Sequence, residues 1–213
     1  PEYLHQMHAT IAPRYTAKDT YLGNLVGALN QINLGATTIF DWCHNNSTPA
    51  HSDAGVRGLQ ESGIRALFGH GAPKPDAAKG ARHFSEIPHP RNELERLRNN
   101  VLSNDDALVT LAMSALGVDF STWEVVEHDF RLAKELDLII STHVWGAPNR
   151  LNPDGYKKLA KLKLLDRRHN MVHGNYLSDA ELKLLIDCGA STTITPEVEI
   201  QMGHGNPLIG RVR

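Results

Sequence analysis

The sequence Leu-Ile-Ile-Ser-Thr-His-Val-Trp-Gly at residues 138–146 is an apolar, β-type run that carries one histidine, His143, near its carboxyl end. A second run of this kind, Asn-Met-Val-His-Gly-Asn at residues 170–175, contains His173 and is followed directly by a helix start signal. In proteins that alternate strands and helices, the ligand site lies at the carboxyl ends of the strands. Consecutive units with right-handed crossovers usually place their strands side by side. We therefore predict that His143 and His173 face one pocket and reach one small ligand.

The composition is typical of a single globular α/β domain, here 1–213. The chain has 213 residues, a formal net charge of −2 and 41% hydrophobic residues, which suits a sizeable core. Its basic residues are scattered among acids, so a nucleic-acid partner is not expected. No apolar run approaches 20 residues and no signal-peptide pattern opens the sequence, so a membrane partner is not expected either. Cys43 and Cys188 are far apart in the sequence and outside any metal-type spacing, which favours a reducing compartment such as the cytoplasm.

Hydrophobic periodicity predicts six strands separated by helices. The expected strands cover 36–42, 64–68, 107–113, 138–143, 170–173 and 191–195. The run 107–113 is also compatible with a helix, because periodicity alone does not separate the two. A stretch rich in glycine and proline from Gly69 to Pro75, with irregular sequence up to Pro90, predicts the longest loop of the chain.

Cap and stop signals predict the helix boundaries. The expected helices begin at Thr16, at Ser52 or Asp53, at Arg91, at Ser121, at Asn152 and at Ser178, and four of them end near Gly35, Gly63, Leu102 and Cys188. Strands that alternate with helices predict a parallel sheet. A closed (β/α)8 barrel typically needs about 250 residues, so this chain is roughly two strands short of closure. The expected fold is therefore α/β, an incomplete TIM-type barrel of about six βα units, with an open doubly wound sheet as the other topology that the pattern permits.

Four segments, taken together, resemble the amidohydrolase superfamily. They are Gly-Ala-Thr-Thr-Ile-Phe-Asp-Trp at 35–42, Thr-His at 142–143, Val-His-Gly-Asn-Tyr-Leu-Ser-Asp-Ala-Glu at 172–181, and Thr-Pro at 195–196. The closer resemblance is to the branch that contains cytosine and guanine deaminases and triazine chlorohydrolases, and it spans nearly the whole chain. It implies strands two to seven of the family barrel. It also implies a divalent zinc or iron ion and hydrolysis of C–N bonds, other than peptide bonds, in a small cyclic substrate.

The same resemblance assigns roles to the two strand-end histidines. It implies that His143 binds the metal and that His173 contacts the metal-bound water or the substrate. Four further residues follow strand ends and are candidate substrate-binding residues: Trp145, His44, Asn45 and His204. Each has an alternative interpretation. Trp145 can serve only in packing at the strand end, and the other three can be ordinary polar residues of loops. We interpret His70, which lies between two glycines, as a loop residue, Glu197 as an exposed loop acid and Asp41 as a further candidate at the site.

Three features depart from the family pattern. The chain has no His-x-His pair, and it ends before a strand that could supply the family's metal-binding aspartate. The deaminases of the family carry a proton-transferring glutamate three residues after the metal-binding histidine, and that position is Gly146 here. A catalytic zinc-type site needs about three or four protein ligands to lower the pKa of its water to ~7, and a missing acid or base costs roughly 10²- to 10⁴-fold in rate. We therefore expect weak or absent metal binding and negligible hydrolase activity in the isolated 213-residue chain.

Two functional classes stay open. The first is a fragment of a metal-dependent hydrolase of the deaminase or chlorohydrolase type, and the second is a metal-free remnant or binding module on the same scaffold. A sheet that lacks its first and last barrel strands leaves two unpaired edges, which are templates for pairing with another chain. We therefore expect either a two-fold homo-oligomer or a natural polypeptide that extends beyond the present ends.

Overall fold

The computed structural model describes residues 4–71, 80, 82–146 and 150–212. Within these ranges the chain forms two compact units, divided between Ser114 and Ala115. All strand pairs within each unit are parallel, as the alternation of strands and helices predicts. None of the helices in the described ranges is long and apolar enough to cross a membrane.

The first unit opens with helical turns and continues with three βα repeats. Its elements are a π-helix (Leu4–Ile11), a 3-10 turn (Ala12–Arg14), α1 (Ala17–Asn33), β1 (Thr38–Cys43), α2 (Pro49–Ser62), β2 (Arg65–Gly71), a 3-10 turn (Phe84–Glu86), α3 (Arg91–Asn99) and β3 (Val109–Ala115). Phe68 lies opposite Asp41 of β1 and opposite Leu111 of β3, so β2 lies between the other two strands. Phe68, Leu94 and Leu97 are fully buried, and burial of a side chain of this size contributes about 1.5–3 kcal/mol.

The second unit contains the remaining helices and strands. These are α4 (Gly117–Phe120), α5 (Trp123–Glu135), β4 (Ile139–Val144), α6 (Gly155–Lys161), β5 (His169–His173), α7 (Asp179–Asp187), β6 (Ser191–Thr193), α8 (Pro196–Gln201) and a 3-10 turn (Leu208–Gly210). The parallel register places His143 opposite Val172 and Val144 opposite His173. The core of this unit includes Phe130, Leu159 and Met171, none of which is more than 2% exposed.

The structure confirms several predicted element ends. Thr16 and Ser178 both form complete capping boxes, with Asp19 and Glu181 as the reciprocal acids. The run 107–113 proves to be a strand, β3, although shifted by two residues. The helices predicted to stop at Gly35 and at Cys188 end at Asn33 and Asp187.

Two predicted helix starts are wrong, since neither Ser121 nor Asn152 caps the helix that follows it. Ser121 ends the preceding helix α4, where its backbone N–H donates to the Gly117 carbonyl, and the N-cap of α5 is Thr122 instead. The amide Nδ2 of Asn152 donates to the carbonyl oxygens of Val118 and Ser121, at 3.0 and 2.7 Å. Helix α6 therefore begins two residues later than predicted, at Gly155.

Two boundaries in the first unit also differ from prediction. Helix α2 begins at Pro49, with Thr48 as N-cap, because proline is favoured at the first helical position. Strand β2 continues through His70 and Gly71 into the predicted loop, so that His70 is a buried strand residue with 2% of its surface exposed. A Cβ on Gly71 would lie 2.2 Å from the Cys43 carbonyl oxygen, and the absence of a side chain therefore permits this close approach. Positions 72–79 of the predicted loop lie outside the described residues.

Candidate functional site

His143 and His173 lie side by side at the carboxyl ends of β4 and β5. Their ring centroids are 5.4 Å apart, with 40° between the ring planes. The predicted adjacency of these two residues is therefore confirmed. Their roles as metal ligand and catalytic residue stay predictions, because adjacency alone does not assign a role.

The backbone at His173 adopts a conformation that is rare for a residue with a side chain. Its φ is +73°, in the left-handed region, and the following Gly174 also has a positive φ. The Gly174 N–H donates to the Val144 carbonyl at 2.7 Å and thereby continues the strand pairing past the turn. Such conformations cost about 1–3 kcal/mol and occur preferentially at functional sites. The outlier supports a functional interpretation of His173.

A carboxylate that sequence reasoning missed, Glu199, holds the ring of His173. Its Oε1 accepts hydrogen bonds from His173 Nδ1 at 2.9 Å and from the Thr195 backbone N–H at 2.8 Å. Its Oε2 accepts from Asn175 Nδ2 at 3.1 Å, and no part of Glu199 is exposed. Burial alone would raise the pKa of Glu199, but the hydrogen bonds from His173, Thr195 and Asn175 outweigh it and hold this pKa below its ordinary value. The site therefore rests on an ionised carboxylate.

One sequence signal points to the first turn of α8, although it does not single out Glu199. Glu199 lies in the first turn of α8, a helix that begins with Thr195-Pro196, and acids in first turns bond back to the helix start. Glu197, two positions earlier, is predicted to be an exposed loop acid. The structure confirms its exposure but places it in helix α8. The two acids point to different environments, which no local pattern distinguishes.

A cluster of aromatic rings adjoins His173 within the second unit. Trp145 stacks on Tyr176 with a centroid distance of 6.3 Å, and His204 meets Trp145 edge to face at 4.3 Å. His204 also lies 5.1 Å from His173, edge to face. Burial, and then the neighbouring His173, lower the pKa of His204. The structure thus brings Trp145 and His204 to the site, while substrate binding by them stays a prediction.

Gly146 forms a tight turn directly after this strand end. Its N–H donates to Asp119 Oδ2 at 2.6 Å, and the Trp145 N–H donates to the same oxygen. Gly146 has a φ of +71°, and a Cβ added to it would lie 2.6 Å from the Leu177 nitrogen. The position where the resemblance would place a glutamate therefore cannot carry a side chain without a backbone shift.

The other two predicted substrate-binding residues, His44 and Asn45, lie in the first unit. With Asp41 and Trp42 they help to line a cavity of about 210 Å³ at the end of β1. Burial raises the pKa of Asp41 to about 6, against the hydrogen bond that Asn24 Nδ2 donates to its Oδ2 at 2.7 Å. Drug-sized ligands occupy roughly 300–1,000 Å³, so this cavity suits only a small molecule or part of one.

A separate groove in the second unit, of about 280 Å³, is lined by α7 residues and Arg211. Neither His143 nor His173 contributes to it. This groove is therefore not the place where His143 and His173 meet.

Comparison with known proteins bears on the fold. No family model matches the chain. The guanine deaminase from Bradyrhizobium japonicum matches 99% of this chain and 47% of its own, with a TM-score of 0.74 at 18% identity. The chain therefore has the fold of about half of this deaminase. An adenosine deaminase from Xanthomonas campestris with bound zinc covers 97% of the chain and 47% of its own length, with a TM-score of 0.73 at 18% identity.

Two further relatives agree with this fold. A mutant of atrazine chlorohydrolase from Arthrobacter aurescens TC1, complexed with zinc and atraton, covers 92% of the chain and 47% of its own, with a TM-score of 0.72 at 17% identity. A curated 5'-deoxyadenosine deaminase from Methanosphaera stadtmanae is 22% identical over 195 residues, which are 88% of this chain and 43% of that protein. The chain thus spans about half the length of these relatives. The predicted fold class, an incomplete barrel with six parallel strands, is confirmed.

The residues that the structure describes do not form a metal centre by themselves. Within the described ranges, no group of three or more His, Cys, Asp or Glu residues could hold a metal ion. His143 and His173 offer two imidazoles, and Nδ1 of His173 already donates to Glu199. A zinc site needs about three or four protein ligands. The donor set of the described residues therefore does not fit the zinc of the related structures.

Proposed function

We propose that this chain is the central part of a hydrolase that acts on C–N bonds, other than peptide bonds, of a small cyclic substrate, with deaminase or chlorohydrolase chemistry. The observation that carries the proposal is the hydrogen-bonded pair His173–Glu199 beside His143 at the carboxyl ends of two paired strands. A positioned imidazole that exchanges a proton with a reacting group contributes about 10²- to 10⁴-fold to a rate. His173 is the group in this site that fits such a role.

The surroundings of the pair support a planar substrate. Trp145, Tyr176 and His204 present ring faces and edges within the same cluster. Aromatic rings prefer offset or edge-to-face contacts with other rings, with centroids about 4.5–7 Å apart. A purine or triazine ring, as acted on by the related enzymes, would satisfy this geometry. Trp145 and His204 are proposed to contact it.

The two reaction types differ in what the leaving group requires. An amine departs after it has gained a proton, whereas chloride departs as an anion. Gly146 supplies no proton carrier. A deaminase built on this chain must therefore use another group, and a chlorohydrolase needs none at that position.

The test compares the polypeptide encoded by the complete gene with the 213-residue chain. Both are incubated with zinc and with adenosine, 5'-deoxyadenosine, guanine and atrazine, while released ammonia and chloride are measured. The proposal expects turnover by the complete protein that is lost in His173→Ala and kept in Glu197→Gln, an exposed control on α8. If the complete protein contains enough further ligands for a zinc ion but hydrolyses none of these compounds, the proposed hydrolase function is wrong.

The second candidate is a metal-free binding module. The donor set described above and the glycine at position 146 favour it. Calorimetry with atraton in the presence of a chelator separates the two. Binding without metal, unaffected by added zinc, would favour the binding module.

We also propose that the ligand is a small molecule and that the protein has neither a nucleic-acid nor a membrane partner, because its charges are scattered. The cysteine usage favours a cytoplasmic setting. The open strand edges expected of an incomplete barrel favour a homo-oligomer. Light scattering tests the oligomer. A monodisperse monomer near 23.5 kDa that unfolds cooperatively would rule it out.

A further inference from the structure

We propose that Glu199 is a positioning residue that fixes His173 in one tautomer, with the proton on Nδ1 and the lone pair of Nε2 turned to the site. Nδ1 of His173 has two neighbours: Glu199 Oε1 at 2.9 Å and Thr195 Oγ1 at 3.3 Å. An ionised carboxylate only accepts hydrogen bonds, so the proton of this bond must belong to the imidazole. The tautomer of a neutral histidine follows from the bond that one nitrogen makes.

The carboxylate is held in place independently of the histidine. The Thr195 backbone N–H and Asn175 Nδ2 both donate to it, and Glu199 is fully buried. Thr195 and Glu199 lie at the start and in the first turn of one helix, so their separation is set by the backbone of α8. Glu199 is therefore a rigid acceptor to which the ring of His173 must conform.

The other nitrogen of the ring is available for chemistry. No residue in the described part of the chain forms a hydrogen bond with Nε2 of His173, whereas the rings of His143 and His204 lie 5.4 and 5.1 Å away. His173 combines a left-handed backbone at the end of β5 with the hydrogen bond to Glu199. The two constraints together present an unprotonated Nε2, which is an acceptor for a water or a substrate N–H.

The role of the Nε2 lone pair as an acceptor for water or substrate rests on the proposed function. The tautomer itself is a property of the folded chain and is measured without turnover. If the tautomer is found but the complete protein hydrolyses nothing, the proposed function fails and this inference stands.

The experiment is two-dimensional NMR of the chain labelled with ¹⁵N in its 12 histidines, at pH 8. The His173 signals are identified by their loss in His173→Gln. In the wild type we expect a bare-nitrogen signal from Nε2 and a protonated signal from Nδ1. An Nε2–H tautomer, or a doubly protonated ring at this pH, would overturn the proposal without any variant.

Three variants separate the hydrogen bond from general packing. Glu199→Ala should remove the preference, so that the bare-nitrogen signal of Nε2 is lost or averaged. Glu199→Gln should keep the tautomer preference, because the new amide oxygen can still accept from Nδ1 of His173. The new NH2 group also finds an acceptor, because Asn175 can turn its amide. Oδ1 of Asn175 is buried without a partner in the described structure. Glu197→Gln, on the exposed side of α8, should change nothing. An unaltered tautomer in folded Glu199→Ala would contradict the assignment.

Discussion

At the scale of single residues, the close contacts of Gly146 constrain the chemistry most directly. Asp119 holds its N–H, and the backbone of Leu177 occupies the space where a side chain would start. Asp119 is itself buried, and burial raises its pKa despite the two backbone N–H groups that it binds. The turn after β4 is therefore built without room for the acid that the resemblance to amidohydrolases implies at this position.

We predict that Gly146→Glu does not introduce a proton carrier and instead destabilises the fold by about 1–3 kcal/mol or more, because it combines a positive φ with a backbone clash. Urea unfolding measures the change. Gly23→Ala is the matched control: it lies in α1 with open space around it, and alanine there should be neutral or stabilising by up to about 1 kcal/mol. Equal stability of Gly146→Glu and the wild type would show that the turn relaxes freely.

The buried carboxylate of Asp41 predicts a pH dependence of stability. Burial raises its pKa from 3.8 to about 6, so the folded chain keeps a proton that the unfolded chain releases. Asp41 therefore contributes most to the free energy of unfolding below pH 4, and its contribution declines as the pH rises to about 6.

Asp41→Asn should remove this decline, because the neutral amide can still accept the hydrogen bond from Asn24. Its free energy of unfolding relative to the wild type should increase between pH 4 and pH 6 and then level off. Urea titrations at one-unit intervals provide the measurement, with the exposed Asp106→Asn as control. A difference that does not vary with pH would show that Asp41 ionises freely in the folded chain.

At the scale of elements, one helix end is predicted correctly and another is not. Ser178 caps α7, where the Glu181 N–H donates to its Oγ and Glu181 bonds back to the Ser178 N–H. Ser121 matches the same sequence pattern, but its Oγ is buried without a hydrogen-bond partner in the described structure. The pattern is identical and only the surroundings differ.

Alanine at each position should separate the two. Ser178→Ala is expected to lower the free energy of unfolding by about 1 kcal/mol, the usual cost of a lost cap. Ser121→Ala should be neutral or slightly stabilising, because it removes a buried hydroxyl that has no partner. A loss of similar size in both variants would show that Ser121 caps α5 after all.

At the scale of the whole molecule, zinc binding depends on the number of protein ligands that the chain provides. The described residues provide no group of three metal-binding side chains, although related barrels of twice the length bind zinc. We predict that the purified 213-residue chain holds less than stoichiometric zinc after dialysis. Elemental analysis of the wild type and His143→Ala provides the measurement. Tightly bound zinc at one ion per chain, lost in His143→Ala, would contradict the prediction.

Local sequence determined the elements of this protein and the neighbours of its central histidines. Periodicity identified all six strands, and caps at Thr16 and Ser178 depend on residues three apart, whose geometry a helix start dictates. The adjacency of His143 and His173 follows from strand order, because consecutive parallel strands end at one edge.

Only the tertiary structure decided which residues of these elements contact each other. Glu199 reaches His173 across 26 positions in the sequence, and Asn152 binds carbonyl groups 31 and 34 positions away. His70 is buried in a strand because Gly71 lets the neighbouring strand approach. Each of these depends on packing between segments that are remote in the chain, and local propensity carries no information about such contacts.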